Sequence, residues 1–167
     1  MYFYFADKIE GMTGQEYQEI HDKVQNLKAK DYGYDPSKIE PSVIGRADVK
    51  IKIRMFDDNG YFRFMDPIGY LRKANQIHHW LVKNIQNEKD DMEHHLFCKE
   101  KVIELKETCE KVLKNFLIAP ELLPVCDGST DYDEYYLEDV KDTLKILNNI
   151  LEKIDFEKQV VLYTSSW

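Results

Sequence analysis

The sequence predicts an α+β fold in which a small, mostly antiparallel sheet packs with three to four amphipathic helices. Three observations predict it. Apolar residues recur at 3–4 spacing in several separate stretches, one stretch alternates at period two, and turn-forming residues divide them. At 167 residues and 43% apolar content, the chain can bury a core without disulfides or a structural metal. A single domain over 1–167 is expected. It divides into a strand–helix–hairpin part (1–66) and a helical part with a final strand (67–167).

Residues 1–9 open the chain as an aromatic strand, Met1-Tyr2-Phe3-Tyr4-Phe5. Thr13 and Glu16 have capping-box spacing, and Tyr17, Ile20, Val24 and Leu27 follow at 3–4–3 intervals, which predicts a helix over 13–30. Gly33, Pro36, Pro41 and Gly45 mark 31–45 as a loop. Val49, Ile51, Ile53 and Met55 alternate with Lys50, Lys52 and Arg54. Asp57-Asp58-Asn59-Gly60 then turns the chain into a returning strand, Tyr61 to Met65, and the hairpin spans 47–65. Together with the terminal strands it supplies the predicted sheet.

Asp66-Pro67 reads as an N-cap and first helical position, followed by Leu71, Ala74, His78, Leu81 and Ile85 along one helical seam. The polar stretch 87–97 loses the period. A helix over 99–117 presents Val102, Leu105, Cys109, Val112 and Phe116. Thr130 and Asp133 open the longest helix, whose seam runs from Leu137 to Ile154, and Val160 to Tyr163 reads as a last strand.

The formal charge of −8 argues against general nucleic-acid affinity, because phosphate binding needs a net basic face; it favours basic protein partners. Cys98, Cys109 and Cys126 match no zinc or redox spacing, and an odd count fits a reducing compartment. The apolar start is too short for a signal core or a membrane span, so a cytoplasmic protein with no membrane role is expected.

From Gly69 onward several segments carry a resemblance. They are Arg72-Lys73-Ala74-Asn75-Gln76-Ile77-His78, then Trp80, Val82, Asn84, Gln86 and Asp90-Asp91. Cys109 to Leu113, Gly128 to Glu134, Asp155-Phe156 and Ser165-Ser166-Trp167 continue it. Over about 68–167 the chain resembles a widespread group of small proteins encoded by bacteriophages and prophages; residues 1–67 lie outside the match. Relatives often carry a glycine- and phenylalanine-rich stretch where Val125-Cys126-Asp127 stands here. The resemblance implies an origin rather than a mechanism: small accessory work in a bacterial cytoplasm, such as host takeover or antagonism of a defence system.

Three groups of residues are candidates for function. Asp131, Tyr132, Asp133, Glu134, Tyr135 and Glu138 interleave carboxylates with aromatic rings. Acids in a first helical turn meet the positive end of the dipole without any function, but the tyrosines among them suit docking on an arginine-rich partner. Arg72, Lys73, Asn75, Gln76 and His78, with Trp80 or a tyrosine as a stacking face, could instead hold a nucleotide. His94, His95 and Asp91 are a weaker metal alternative, since imidazole and carboxylate suit zinc. Against these, His78 on an apolar seam reads as a hydrogen-bonded core histidine, Cys109 as inert core, and Lys50, Lys52, Arg54 and Arg63 as an edge-protecting basic strand face. Gly128-Ser129-Thr130 reads as capping.

No nucleophile motif or phosphate loop is present, so catalysis has no support. The leading expectation is a non-catalytic accessory protein that needs no cofactor and binds and inhibits a host protein with a basic surface. The alternatives are a small-ligand binder that sequesters a nucleotide signal, and a metal-dependent enzyme using the histidine pairs. Homo-oligomerisation is compatible with all three.

Overall fold

A computed structural model describes residues 1–45, 51–55, 61–125 and 131–165. Strands β1 (Tyr2–Asp7), β4 (Asp66–Tyr70), β5 (His95–Leu96) and β6 (Gln159–Thr164) form one antiparallel sheet in the order β4-β1-β6-β5. Strands β2 (Arg54–Met55) and β3 (Phe62–Arg63) form a separate two-stranded sheet. The main helices are α1 (Gly14–Gln25), α2 (Asn75–Asn84), α3 (Lys99–Lys114) and α5 (Glu134–Lys153), with the single turn α4 (Ala119–Leu122) before α5. The fold is α+β.

The alternation of side chains along a strand sorts the two central strands between two cores. Phe3, Phe5, Val161 and Tyr163 face a cluster built with α2, α3 and α5, including Ile77, Leu81, Leu105, Val140 and Leu147. Tyr4, Ala6, Val160 and Leu162 face a second cluster with Tyr17, Ile20 and Val24 of α1 and Phe62 of the hairpin. The sheet is thus the middle of three layers. Burying each large apolar side chain contributes about 1.5–3 kcal/mol, and β1 and β6 collect that on both faces. Gly69 lets α5 approach β4, because a Cβ there would meet the side chain of Ile146.

Several elements differ from the sequence reading. Asp66-Pro67 starts no helix: it lies in edge strand β4, paired with β1, and α2 begins only at Asn75. Proline is tolerated there because an edge strand need not donate from every backbone N–H. Leu71 continues the pairing, its N–H donating to Met1 O and its carbonyl accepting from the Met1 amine, so its burial is strand-like rather than helical. Among the described residues the hairpin does not join the main sheet, whose outer strands are β4 and β5 instead. Its residues 46–50 and 56–60, including Lys50 and the Asp57–Gly60 turn, lie outside the described residues. The polar stretch 87–97 holds β5, and α1 ends at Gln25 rather than near 30. Residues 31–45 form a loop of short 3-10 turns. The α1 capping box is present as read, with Glu16 N–H donating to Thr13 Oγ1 and Thr13 N–H to Glu16.

Among the described residues no helix is long and apolar enough to cross a membrane.

Candidate functional site

Helix α5 starts where it does because the Asp133 carboxylate accepts the N–H of Tyr136 at 3.0 Å, satisfying one of the first-turn donors. The three tyrosines of the acidic segment then divide. Tyr136 is buried; its hydroxyl donates to Leu123 O at 2.8 Å, and burial raises its pKa above the usual tyrosine value. Tyr132 is half-buried, its hydroxyl accepting the N–H of Val125 at 3.3 Å and its ring lying 5.1 Å from that of Tyr136. Both rings stand edge-on to Phe116, just past the end of α3, so the C-terminal end of α3 meets the N-terminal end of α5. Tyr135 alone projects, 77% exposed, and Leu117 beside Phe116 is 88% exposed.

Asp131, Glu134 and Glu138, which flank Tyr135 in the chain, are exposed as well. Neither Glu134 nor Glu138 has an ion-pair partner among the described residues. Asp139 turns inward and accepts from Gln76 Nε2 at 3.2 Å. Burial, then the neighbouring carboxylates Asp142, Asp133 and Glu138, lift its pKa against that hydrogen bond. The structure therefore brings together Asp131, Glu134, Tyr135 and Glu138 from the predicted set. It gives Asp133 and Tyr132 local structural work and adds Leu117. The helical seam hid Leu117: Phe116 takes the inward position, which leaves the next residue outside.

The second predicted set does not converge. Gln76, His78 and Trp80 are buried. Gln76 bonds Asp139 as above. His78 Nδ1 lies 2.6 Å from the Tyr163 hydroxyl and its Nε2 lies 3.2 Å from Asp90 Oδ1, so each ring nitrogen has a partner. Trp80 carries Lys101 Nζ 5.9 Å from its ring centroid. Asn75 is half-buried, and only Arg72 and Lys73 are exposed.

The third set splits across strand β5. His95 Nε2 lies 2.6 Å from Asp91 Oδ1. Burial pushes the Asp91 carboxyl up, but the His95, Glu93 N–H and Lys89 contacts together hold it below the usual carboxylate range. His94 belongs instead with Tyr4, 5.6 Å between centroids, and Tyr4 in turn with His21 at 6.0 Å. Both ring nitrogens of His94, and Nδ1 of His21, are buried with no hydrogen-bond partner among the described residues. Burial drives the His94 pKa down to about 4, aided by His21 and His95, so the ring is neutral near pH 7. An open cavity of about 670 Å³ runs beside it, between the β1–α1 loop (Lys8 to Gln15) and Glu93 to Leu96. Among the described residues no group of three or more His, Cys, Asp or Glu side chains is disposed to hold a metal ion.

The remaining candidates have structural roles. Arg54 reaches Asp66 at 2.9 Å and Asp7 at 3.3 Å, and Arg63 reaches Asp66 at 3.5 Å, so these two carboxylates neutralise the two arginines of the hairpin. The Cys109 thiol is buried and pushed up to about 12, chiefly by desolvation, which makes it inert core. Cys98 is exposed. Cys126 and Gly128-Ser129-Thr130 lie outside the described residues.

Searches against protein-family models, curated proteins and solved structures find no match for this chain.

Proposed function

We propose that the protein is a non-catalytic accessory protein of phage or prophage origin that binds and inhibits a bacterial host protein, with defence components the implied class. Contact would run through the exposed end of the α3–α5 pair. The observation that carries this reading is Tyr135, 77% exposed beside exposed carboxylates of which Glu134 and Glu138 lack an ion-pair partner among the described residues. A large aromatic ring held out in water adds nothing to the fold, whereas tyrosine ringed by charge is the composition of an interface anchor. Leu117, 88% exposed next to Phe116, would widen the apolar centre. The carboxylates would select a basic surface and speed its approach. The resemblance over 68–167 supports the phage origin.

A triple substitution, Glu134→Lys with Tyr135→Ala and Glu138→Lys, spares the Asp133 cap and the buried Tyr136. The variant should keep its melting temperature within a few degrees and lose most of the host protein that the unaltered chain co-purifies from a bacterial lysate, with residual association much less sensitive to salt. Equal recovery of the same partner by a folded triple variant rules out this surface.

A further inference from the structure

On the α1 side of the sheet, α1 covers only part of the surface. Tyr70 of β4 stands directly opposite Tyr2 of β1, their ring centroids 4.8 Å apart, and Tyr2 continues into Tyr4 at 6.3 Å with ring planes 19° apart. Tyr4 is half-buried against His21 and His94, but Tyr2 and Tyr70 are 37% and 52% exposed. Leu71 turns into the opposite core, so its neighbours Tyr70 and Arg72 lie on the outer side of the chain. Arg72 and Lys73 are exposed and carry no ion pair among the described residues. Asp7 and Asp66, the acidic residues of β1 and β4, pair with Arg54 and Arg63. An aromatic shelf thus ends in two exposed cations.

We propose that this shelf binds a free nucleotide, its base stacked on Tyr70 and Tyr2 and its phosphate held by Arg72 and Lys73. Aromatic faces accept any base, which gives sequence-tolerant stacking, and a guanidinium beside an ammonium suits a phosphate. Two cations match one phosphate group rather than a strand, and the net charge of −8 disfavours a polyanion. Of the residues that the sequence grouped for a nucleotide, the fold keeps Arg72 and Lys73 on the surface, withdraws Gln76, His78 and Trp80, and supplies tyrosines in place of the tryptophan. The site is separate from the acidic surface at the start of α5, so each can fail alone.

The test is a titration of the isotopically labelled full chain, followed by amide chemical shifts. The probes are adenosine and uridine 5′-monophosphates, the two nucleosides, inorganic phosphate, and a short single-stranded oligonucleotide. Both nucleotides should shift the amides of Tyr2, Tyr70, Arg72 and Lys73 saturably. Tyr70→Ala should weaken them ~5-fold or more, whereas Tyr70→Phe keeps the stacking face and the affinity. The pair Arg72→Ala, Lys73→Ala should reduce nucleotide binding to the level of the nucleoside. The spectra themselves report whether each variant is folded. Equal affinity for nucleoside and nucleotide, or for phosphate and nucleotide, overturns the proposal, as does an absence of shifts at millimolar nucleotide. Tighter binding of the oligonucleotide than of either mononucleotide replaces the free nucleotide with single-stranded nucleic acid and overturns it too.

Discussion

His21 and His94 are held neutral where α1 meets the sheet, facing Tyr4, with Asp22, Arg63, Asp66 and His95 the nearby charged or titratable groups. Both pKa values are lowered, first by burial. The unfolded chain, with histidines near 6.5, therefore binds more protons than the native state once pH drops below that value. Stability from this pair is full above about pH 6.5 and declines as pH falls below it, for His94 down to about 4. The melting temperature should drop between pH 7 and pH 5, and His94→Phe should flatten that slope; a slope unchanged in the variant assigns the acid sensitivity elsewhere. Gly14 is a second point of contact, because a Cβ there would run into the carbonyl of His94. Gly14→Ala should lower the melting temperature despite alanine's helix-propensity advantage of about 1 kcal/mol. Tyr163→Phe removes the hydroxyl 2.6 Å from His78 Nδ1 and with it a buried hydrogen bond. It should cost about 1–3 kcal/mol in a urea melt. His78 was legible in the sequence because an imidazole on an apolar seam must find partners inside. His94 was not: what buries it is α1, which returns to β5 from some seventy residues earlier, and no local spacing encodes that approach.

At the scale of elements, the long amphipathic segments were legible and the short strands were not. Helices α1, α3 and α5 form where their apolar periods predict, each presenting a stripe to a core, although α1 stops at Gln25 short of Leu27 and α3 at Lys114 short of Phe116. The Asp133 cap fixes the start of α5, and Asp133→Ala should cost about 1 kcal/mol, read as a fall of ~2–4 °C in melting temperature. Strand β4 looked like a helix start because Asp-Pro is a good cap and Leu71, Ala74 and His78 fit a helical seam. These three residues do share one core, but they enter it from a strand, a turn and a helix in succession. Strand β5 has two residues, too few to show any alternation, and only its register opposite Leu162 and Tyr163 defines it. The acidic segment was readable as a surface by composition. Which tyrosine reaches solvent depended on Phe116, sixteen to twenty residues away, and so required the fold.

For the whole molecule, the sheet joins the first and last strands at its centre: β1 pairs with β6 over six residues, from Tyr2–Thr164 to Asp7–Gln159. Amides of these two strands should be the last to exchange with deuterium, having ladders on both sides and cores on both faces, while those of α1 exchange earlier. The charge is also laid out unevenly, with exposed carboxylates at the start of α5 and exposed cations just past β4, so the two proposed surfaces differ in sign. The central pairing has a further consequence for a chain still being made. At ~5–20 residues per second, roughly ten to thirty seconds separate the emergence of β1 from that of β6. Until then both faces of β1 await the neighbour that completes them, and α1 and α3 have only half a platform to dock on. Over that interval the nascent chain stays open and attractive to chaperones, and the sheet closes only when β6 has left the ribosome.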